Sequence, residues 1–406
     1  MRGSAGYVST SGRVQILPSI YKSWRLQILV VCMPFDSIDK LQNALAEKVF
    51  GDRKDSKKAS GRALGTFVEI ISFYLLESWD LSRNIAIETR LIEYGNPSIA
   101  HNVEYTLHPV RNYYSVALSP ISLPITSAKL TGLLHGLNRN RYTVKNNTLL
   151  SRRGILRNSC LIGKQGPFSY YAAIEKLGSK TAKIRISEQY PKPFAMVECK
   201  RVGVEEGMRK GRQTIEKAKQ GAYVAKAVSS LQRIRRANGK LYGLICMPDG
   251  TFYAKPYEQM IVELLNSRDP ALYSNFILTI GVVSNHGNWF TSNNPNKEML
   301  VLAQAYDWLV FLTDAGICEF IEELLIHPEN EYEHVRDVFL ASYGQVKNQF
   351  TKVQMEYKTH LLLLKYFKRN YDRIARWFNI ITPDSSLYNL RDQLQLLTLK
   401  DWSGNL

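Results

Sequence analysis

The amino-acid sequence predicts an α/β protein, a mixed sheet flanked by helices, continued by an α-helical C-terminal domain. Three features carry this. The first is an apolar run, Phe194-Ala195-Met196-Val197, that ends in Glu198-Cys199-Lys200. The second is the segment directly after it: helix-permissive sequence from Val204 to Arg236, closed by Asn238-Gly239, then a second apolar run, Leu241 to Met247, stopped by Pro248-Asp249-Gly250. Strand, helix and returning strand make a β-α-β crossover. The third is a change of character past the Asn293-Asn294-Pro295-Asn296 turn, after which 300–378 reads as almost continuously helical, broken at Pro328. With 406 residues, 45% of them hydrophobic, the chain is long enough for more than one core. The expected organisation is an N-terminal extension and helix over 1–60, an α/β core over 61–290 and a helical domain over 291–406.

In chain order, residues 1–32 are irregular and low in charge, and Met33, ahead of a cleaner helical start at Asp36, is a candidate natural start. The apolar stretch Leu26–Met33 is short, comes after a long polar lead and lacks an Ala-x-Ala pattern, so it does not read as a signal peptide. From Gly61 onward, Leu64, Phe67, Val68, Ile71 and Leu75 form a helical stripe with Glu69 beside it. Asn102 to Leu107 alternates like a strand, while Tyr170 to Leu177 reads more like a helix face. In the crossover helix, Ile215, Ala218, Ala222, Ala225 and Val228 recur at three- and four-residue spacing, with Gly207, Gly211 and Gly221 interrupting.

The chemistry concentrates at the end of the first crossover strand. Strand side chains alternate, so Glu198 and Lys200 share a face while Val197 and Cys199 turn inward. A carboxylate that can hold a divalent cation beside an ammonium that can steer water is what a metal-dependent phosphodiesterase requires. The same spacing recurs at Asp52/Lys54, Asp55/Lys57 and Glu356/Lys358, but the first two lie in a charged loop and the third in helix-like sequence. Only the pair at 198 and 200 closes a buried-strand run.

Val197-Glu198-Cys199-Lys200, the helix after it with Lys217, Lys219, Gln220 and Tyr223, and the strand at 241–247 together resemble the PD-(D/E)xK nuclease superfamily, and within it a type II restriction endonuclease. The resemblance is densest over those segments and thinner across 61–290. It implies a restriction-endonuclease-like core, Mg²⁺ as cofactor, double-stranded DNA as substrate and, because palindromic sites favour two-fold symmetry, a homodimer. It further implies that Glu198, a first acid upstream and the main-chain carbonyl of Cys199 hold the metal, that Lys200 positions water, that Glu69 is a secondary acid and that Lys217 and Gln220 approach DNA. The chain departs from the pattern in one respect: that first acid is usually Asp, and no Asp occurs between Asp80 and Asp249. Glu93, Glu104, Glu175 and Glu188 are the candidates, with Glu104 favoured by its strand-like setting and Glu175 next.

Charge points to the same partner. The formal net charge is +17, and between Glu104 and Glu175 no acidic residue occurs while nine Lys and Arg do. This acid-free stretch, interleaved with Tyr and Asn, marks 109–190 as a DNA-reading insert, with Arg139, Arg141, Lys145, Arg152 and Arg153 as its candidate contacts; the plainer reading is a solvated basic surface. A second basic cluster runs from Lys365 to Arg376. Five scattered cysteines without Cys-x-x-Cys spacing suit a reducing, cytoplasmic setting and no zinc cluster. His101 and His108 flank Glu104 without forming His-Glu-x-x-His, no phosphate-binding loop for ATP is present, and no apolar run is long enough to span a membrane.

Overall fold

The computed structural model describes residues 38–48, 51, 56–134, 141–203, 212–286, 297–343 and 349–403. The expected irregular start and Met33 therefore lie outside the described residues. Phe35–Leu406 forms one compact unit. After α1 (Ile38–Lys48), the long helix α2 (Ser56–Ser78) buries the stripe read from the sequence, with Leu64, Phe67, Val68, Ile71 and Leu75 each at most 5% exposed. Next in the chain is an antiparallel pair, β1 (Ile85–Glu93) and β2 (Asn96–Leu107).

The stretch expected to be an insert is an all-β lobe. It comprises β3 (Val110–Leu118), β4 (Ile125–Thr126), the short helix α3 (Ser127–Gly132), β5 (Tyr142–Val144), β6 (Thr148–Leu150), β7 (Ile155–Arg157), β8 (Cys160–Gln165), β9 (Phe168–Leu177) and β10 (Ala182–Gln189). Five of these strands form the sheet β3-β10-β9-β8-β5 around Val116, Ile162, Tyr170, Ile184 and Ile186. Tyr170–Leu177, read from sequence as a helix face, is thus part of β9. Its inward residues Phe168, Tyr170 and Ala172 alternate with more exposed neighbours, a period of two that also has helix-compatible composition.

The chain then returns to the main sheet as β11 (Ala195–Gly203) and crosses through α4 (Arg212–Ala227). Residues 204–211, expected as the start of that helix, lie outside the described residues. The strand paired beside β11 is not 241–247. Leu241–Cys246 is β13, the middle of a small sheet between β12 (Gln232–Arg235) and β14 (Phe252–Pro256). The Pro248-Asp249-Gly250 turn, with Gly250 at φ +83° and Met247 N–H donating to Thr251 O at 2.8 Å, folds it into a hairpin. After α5 (Tyr257–Asn266) and α6 (Pro270–Tyr273), the crossover is completed by β15 (Leu278–His286), parallel to β11 with Glu198 opposite Gly281. Leu278 to Ser284 is buried throughout, as a central parallel strand requires, whereas β13 exposes one face.

The C-terminal part is not a helical domain. After α7 (Lys297–Ala303), β16 (Trp308–Leu312) adds to β15 in parallel. Then come α8 (Asp314–Ile321), a π-helical turn, α9 (Glu333–Tyr343), β17 (Gln354–Glu356), α10 (Tyr357–Arg369) and α11 (Tyr371–Ala375). Next, β18 (Phe378–Thr382) closes the six-stranded sheet β1-β2-β11-β15-β16-β18, and α12 (Leu387–Thr398) comes last. All five residues of β16 are buried, and a short continuous apolar run carries no periodicity that separates a core strand from a buried helix. Two helices cover opposite faces of this sheet at β11. Ser72, Leu75 and Leu76 of α2 lie against Val197, while Ala222 and Ala225 of α4, with Val228 just past its end, share a core with Met196.

Candidate active site

Glu198 and Lys200 share a face of β11, as alternation requires, and are ion-paired at 2.6 Å (Nζ to Oε1); they lie in the middle of the strand and do not close it, because pairing with β15 carries β11 on to Gly203. β2 runs antiparallel to β11, pairing Val197 with Tyr105, so the next residues in register are Glu198 and Glu104. The Glu104 N–H donates to the second Glu198 oxygen at 3.3 Å. Of the four candidates for the upstream acid, the fold brings Glu104 to Glu198. The others are engaged elsewhere: Glu93 with His101 at 3.4 Å, Glu175 with Lys183 at 3.0 Å and Arg185 at 3.6 Å, and Glu188 with Tyr170 at 2.8 Å and Asn112 at 3.0 Å.

Glu69 reaches the same place from α2, but through a residue that the sequence did not single out. The Lys352 ammonium stands 2.6 Å from Glu69 Oε2, 3.3 Å from Glu88 Oε1 and in direct contact with Glu104 Oε1. Glu88 falls opposite Glu104, between the Ile87–Tyr105 and Thr89–Val103 pairs, and its φ of +53° interrupts the β1 pleat there. Lys352 is only 6% exposed. It comes from the turn ahead of β17, which is stitched to the all-β lobe: Asn158 N–H donates to Val353 O at 2.7 Å, Asn158 Nδ2 donates to Lys352 O at 3.0 Å, and β17 pairs with β7. No local signal marks it, because 283 residues separate it from Glu69 and only tertiary pairing brings it to the acids.

Glu198 is buried more deeply than an exposed sheet edge implies. It is 5% exposed, beneath α4 and the Tyr306 ring. Gly221 permits that approach: a Cβ there would run into the Tyr306 hydroxyl and lie 3.2 Å from Glu198 Cγ. Burial raises the Glu198 carboxyl above its ordinary pKa, with the Lys200 ammonium opposing the shift. Cys199 points to the other face, near Ser72; burial raises its thiol pKa far out of the reactive range. The inward orientation read for Cys199 therefore places it in the core, and only its main-chain carbonyl remains a candidate ligand.

Four carboxylates (Glu69, Glu88, Glu104 and Glu198) against two ammoniums (Lys200 and Lys352) leave two negative charges. Carboxylate oxygens are the hard donors that a divalent cation such as Mg²⁺ takes. Among the described residues, no three His, Cys, Asp or Glu side chains converge as a ligand set on their own. In the Glu69, Glu88 and Glu104 group, the Lys352 ammonium takes the central position.

Of the candidate DNA contacts, Arg141, Lys145, Arg152, Arg153 and Gln220 are exposed. Arg152 and Arg153 occupy the turn between β6 and β7 and, with Arg157, Gln349 and Gln354, line a cleft of about 330 Å³. Arg139 lies outside the described residues, and Lys217 is placed only by the α4 backbone. The C-terminal basic cluster is largely neutralised: Lys365 and Arg369 contact Glu331 at 2.6 and 3.1 Å, Lys368 contacts Asp80 at 3.0 Å, and Arg373 contacts Glu323 at 2.5 Å. Among the described residues, no helix is long and apolar enough to cross a membrane.

Compared with protein families, curated proteins and solved structures, the chain gives no significant match.

Proposed function

We propose that this protein is a Mg²⁺-dependent, site-specific endonuclease acting on double-stranded DNA, of the type II restriction class that Val197-Glu198-Cys199-Lys200 resembles. The observation that carries the reading is the meeting of Glu104 and Glu198 at adjacent register positions of β2 and β11, with the Lys200 ammonium 2.6 Å from Glu198. Glu198, Glu104 and the carbonyl of Cys199 would hold the cation, with Glu69 close by through Lys352. A bound divalent cation supplies charge neutralisation at the scissile phosphate and lowers the pKa of a water molecule. The protein's own contribution is to hold the Glu198 carboxylate fixed beneath Tyr306 and α4, and to keep an ammonium, Lys200, beside it to orient water for in-line attack. The exposed Arg152–Arg153 turn supplies phosphate or base contacts, and β7–β17 pairing ties that turn to the segment bearing Lys352. Pairing of two copies across a palindrome is part of the same proposal.

A second reading, a DNA-binding protein that does not cut, is favoured by the Lys352 ammonium lying among the carboxylates. A nuclease of the same chemistry directed by DNA structure or modification would cut according to shape, not sequence. One experiment separates the three: the protein is incubated with a plasmid library in Mg²⁺ and the ends are sequenced, with binding measured in parallel in Ca²⁺. Discrete ends at a common sequence support the proposal. Selective binding without ends, or ends that track structure or modification, replaces it with the corresponding alternative.

A further inference from the structure

A buried ammonium in contact with three carboxylates is an ion already in place. Lys352 is 6% exposed, its carbonyl and that of Val353 are held by Asn158, and its ammonium engages Glu69, Glu88 and Glu104 from α2, β1 and β2. Without it, three acids from separate elements would stand together beside buried Glu198, and the like-charge repulsion would fall most on Glu104, the most enclosed of the three, with Glu88 largely in solvent. One of the two Glu104 oxygens, Oε1, faces the ammonium, so a cation bound by both Glu104 and Glu198 would sit next to that positive charge and compete with it for Glu104.

We propose that Lys352 is a tethered internal cation of the site: it holds Glu69, Glu88 and Glu104 together when no divalent cation is bound, and it must release Glu104 for one to bind. This rests on the nuclease reading of the site and adds a regulatory device to it. The ammonium sets the concentration at which the metal takes over, so the site stays assembled but unarmed at low divalent-cation levels. The acids require a positive charge in either state, and the two cations exchange on Glu104.

The test is Ca²⁺ binding to the full chain by isothermal titration calorimetry, without DNA, together with cleavage in Mg²⁺. Lys352→Met should bind Ca²⁺ at least tenfold more tightly than the native protein and gain a larger rise in melting temperature from it, whereas Lys352→Arg should stay near native affinity. Affinity in Lys352→Met within threefold of native, or weaker, overturns the proposal. Crystals of the native protein soaked in Mn²⁺ give a check that needs no variant to fold. Anomalous density on Glu104 with the ammonium withdrawn is expected, and density with the Lys352–Glu104 contact intact refutes the exchange. If native protein and variant bind Ca²⁺ alike and both cut, only the role of Lys352 falls; if neither binds Ca²⁺ nor cuts, the nuclease reading falls and this inference with it.

Discussion

The packing that seats Glu198 makes a prediction whose size depends on one atom. In α4, a Cβ at Gly221 would overlap the Tyr306 hydroxyl, yet the ring carbon bearing that hydroxyl is 3.7 Å away, an ordinary contact. Retreat of the ring is blocked on its other side, because its edge already packs on Gly281, where a Cβ would lie 2.8 Å from two ring carbons. Gly221→Ala should therefore incur an overpacking cost of about 1–3 kcal/mol. Alanine in place of glycine inside a helix returns roughly 0.5–1 kcal/mol. The net effect in the native background is destabilisation of about 1–2 kcal/mol. In a Tyr306→Phe background the colliding hydroxyl is gone and only the 3.2 Å approach to Glu198 Cγ is left, so the same substitution should be close to neutral, giving a coupling of about 1–2 kcal/mol between the two positions. Urea denaturation of the four proteins of this cycle measures it. Cleavage rate should fall in Gly221→Ala, whose new methyl also presses on Glu198 Cγ at 3.2 Å, and recover partly in the double variant. Equal effects of Gly221→Ala in both backgrounds would refute the reasoning.

Three further predictions concern the site and its surroundings. Lys200→Ala and Glu104→Gln should each lower cleavage to under about a tenth of native while sequence-selective binding in Ca²⁺ persists, whereas Glu175→Gln, which only loosens contacts to Lys183 and Arg185, should retain activity; a Glu175 variant as inactive as Glu104→Gln would move the site. Arg152→Ala and Arg153→Ala should each weaken DNA binding, a phosphate contact lowering the salt slope by about one and a base contact costing about 1–3 kcal/mol at one base pair, and native affinity and salt slope in both would leave the turn as a solvated surface. Burial raises Glu77 from the ordinary 4.5 to about 7, so its stabilising share is fully present below pH 4.5 and lost as pH rises through 7; relative to native, Glu77→Gln should gain unfolding free energy between pH 4.5 and pH 8, by about 1–3 kcal/mol for this half-buried side chain, and an unchanged gap between the two pH values would contradict the shift.

Local pattern was enough for several parts of this protein. The buried stripe of α2, the strand bearing Glu198 and Lys200, and an α4 packed on that strand are legible in periodicity, because apolar spacing reports which face an element buries. The acid-free stretch between Glu104 and Glu175 sets this part of the chain apart by charge, although its β construction does not show. β9 was read as helical, because Tyr, Ala and Ile suit either period. Sequence places the returning strand of the crossover on β13, since a half-exposed hairpin strand and a core strand can have equally apolar sequence, and only pairing with β11 distinguishes β15. β16 reads as helix in sequence for the same reason: Trp308–Leu312 has no polar residue to set a phase. The sequence alone thus determined which chemical groups are present and which of them share a strand face. Only the tertiary structure decided which acids meet, because register places Glu104 and not Glu175 beside Glu198, and chain pairing across 283 residues brings Lys352 to Glu69. Contacts of that range leave no periodic trace in sequence, since the two partners are joined by the packing of whole elements and not by spacing along the chain.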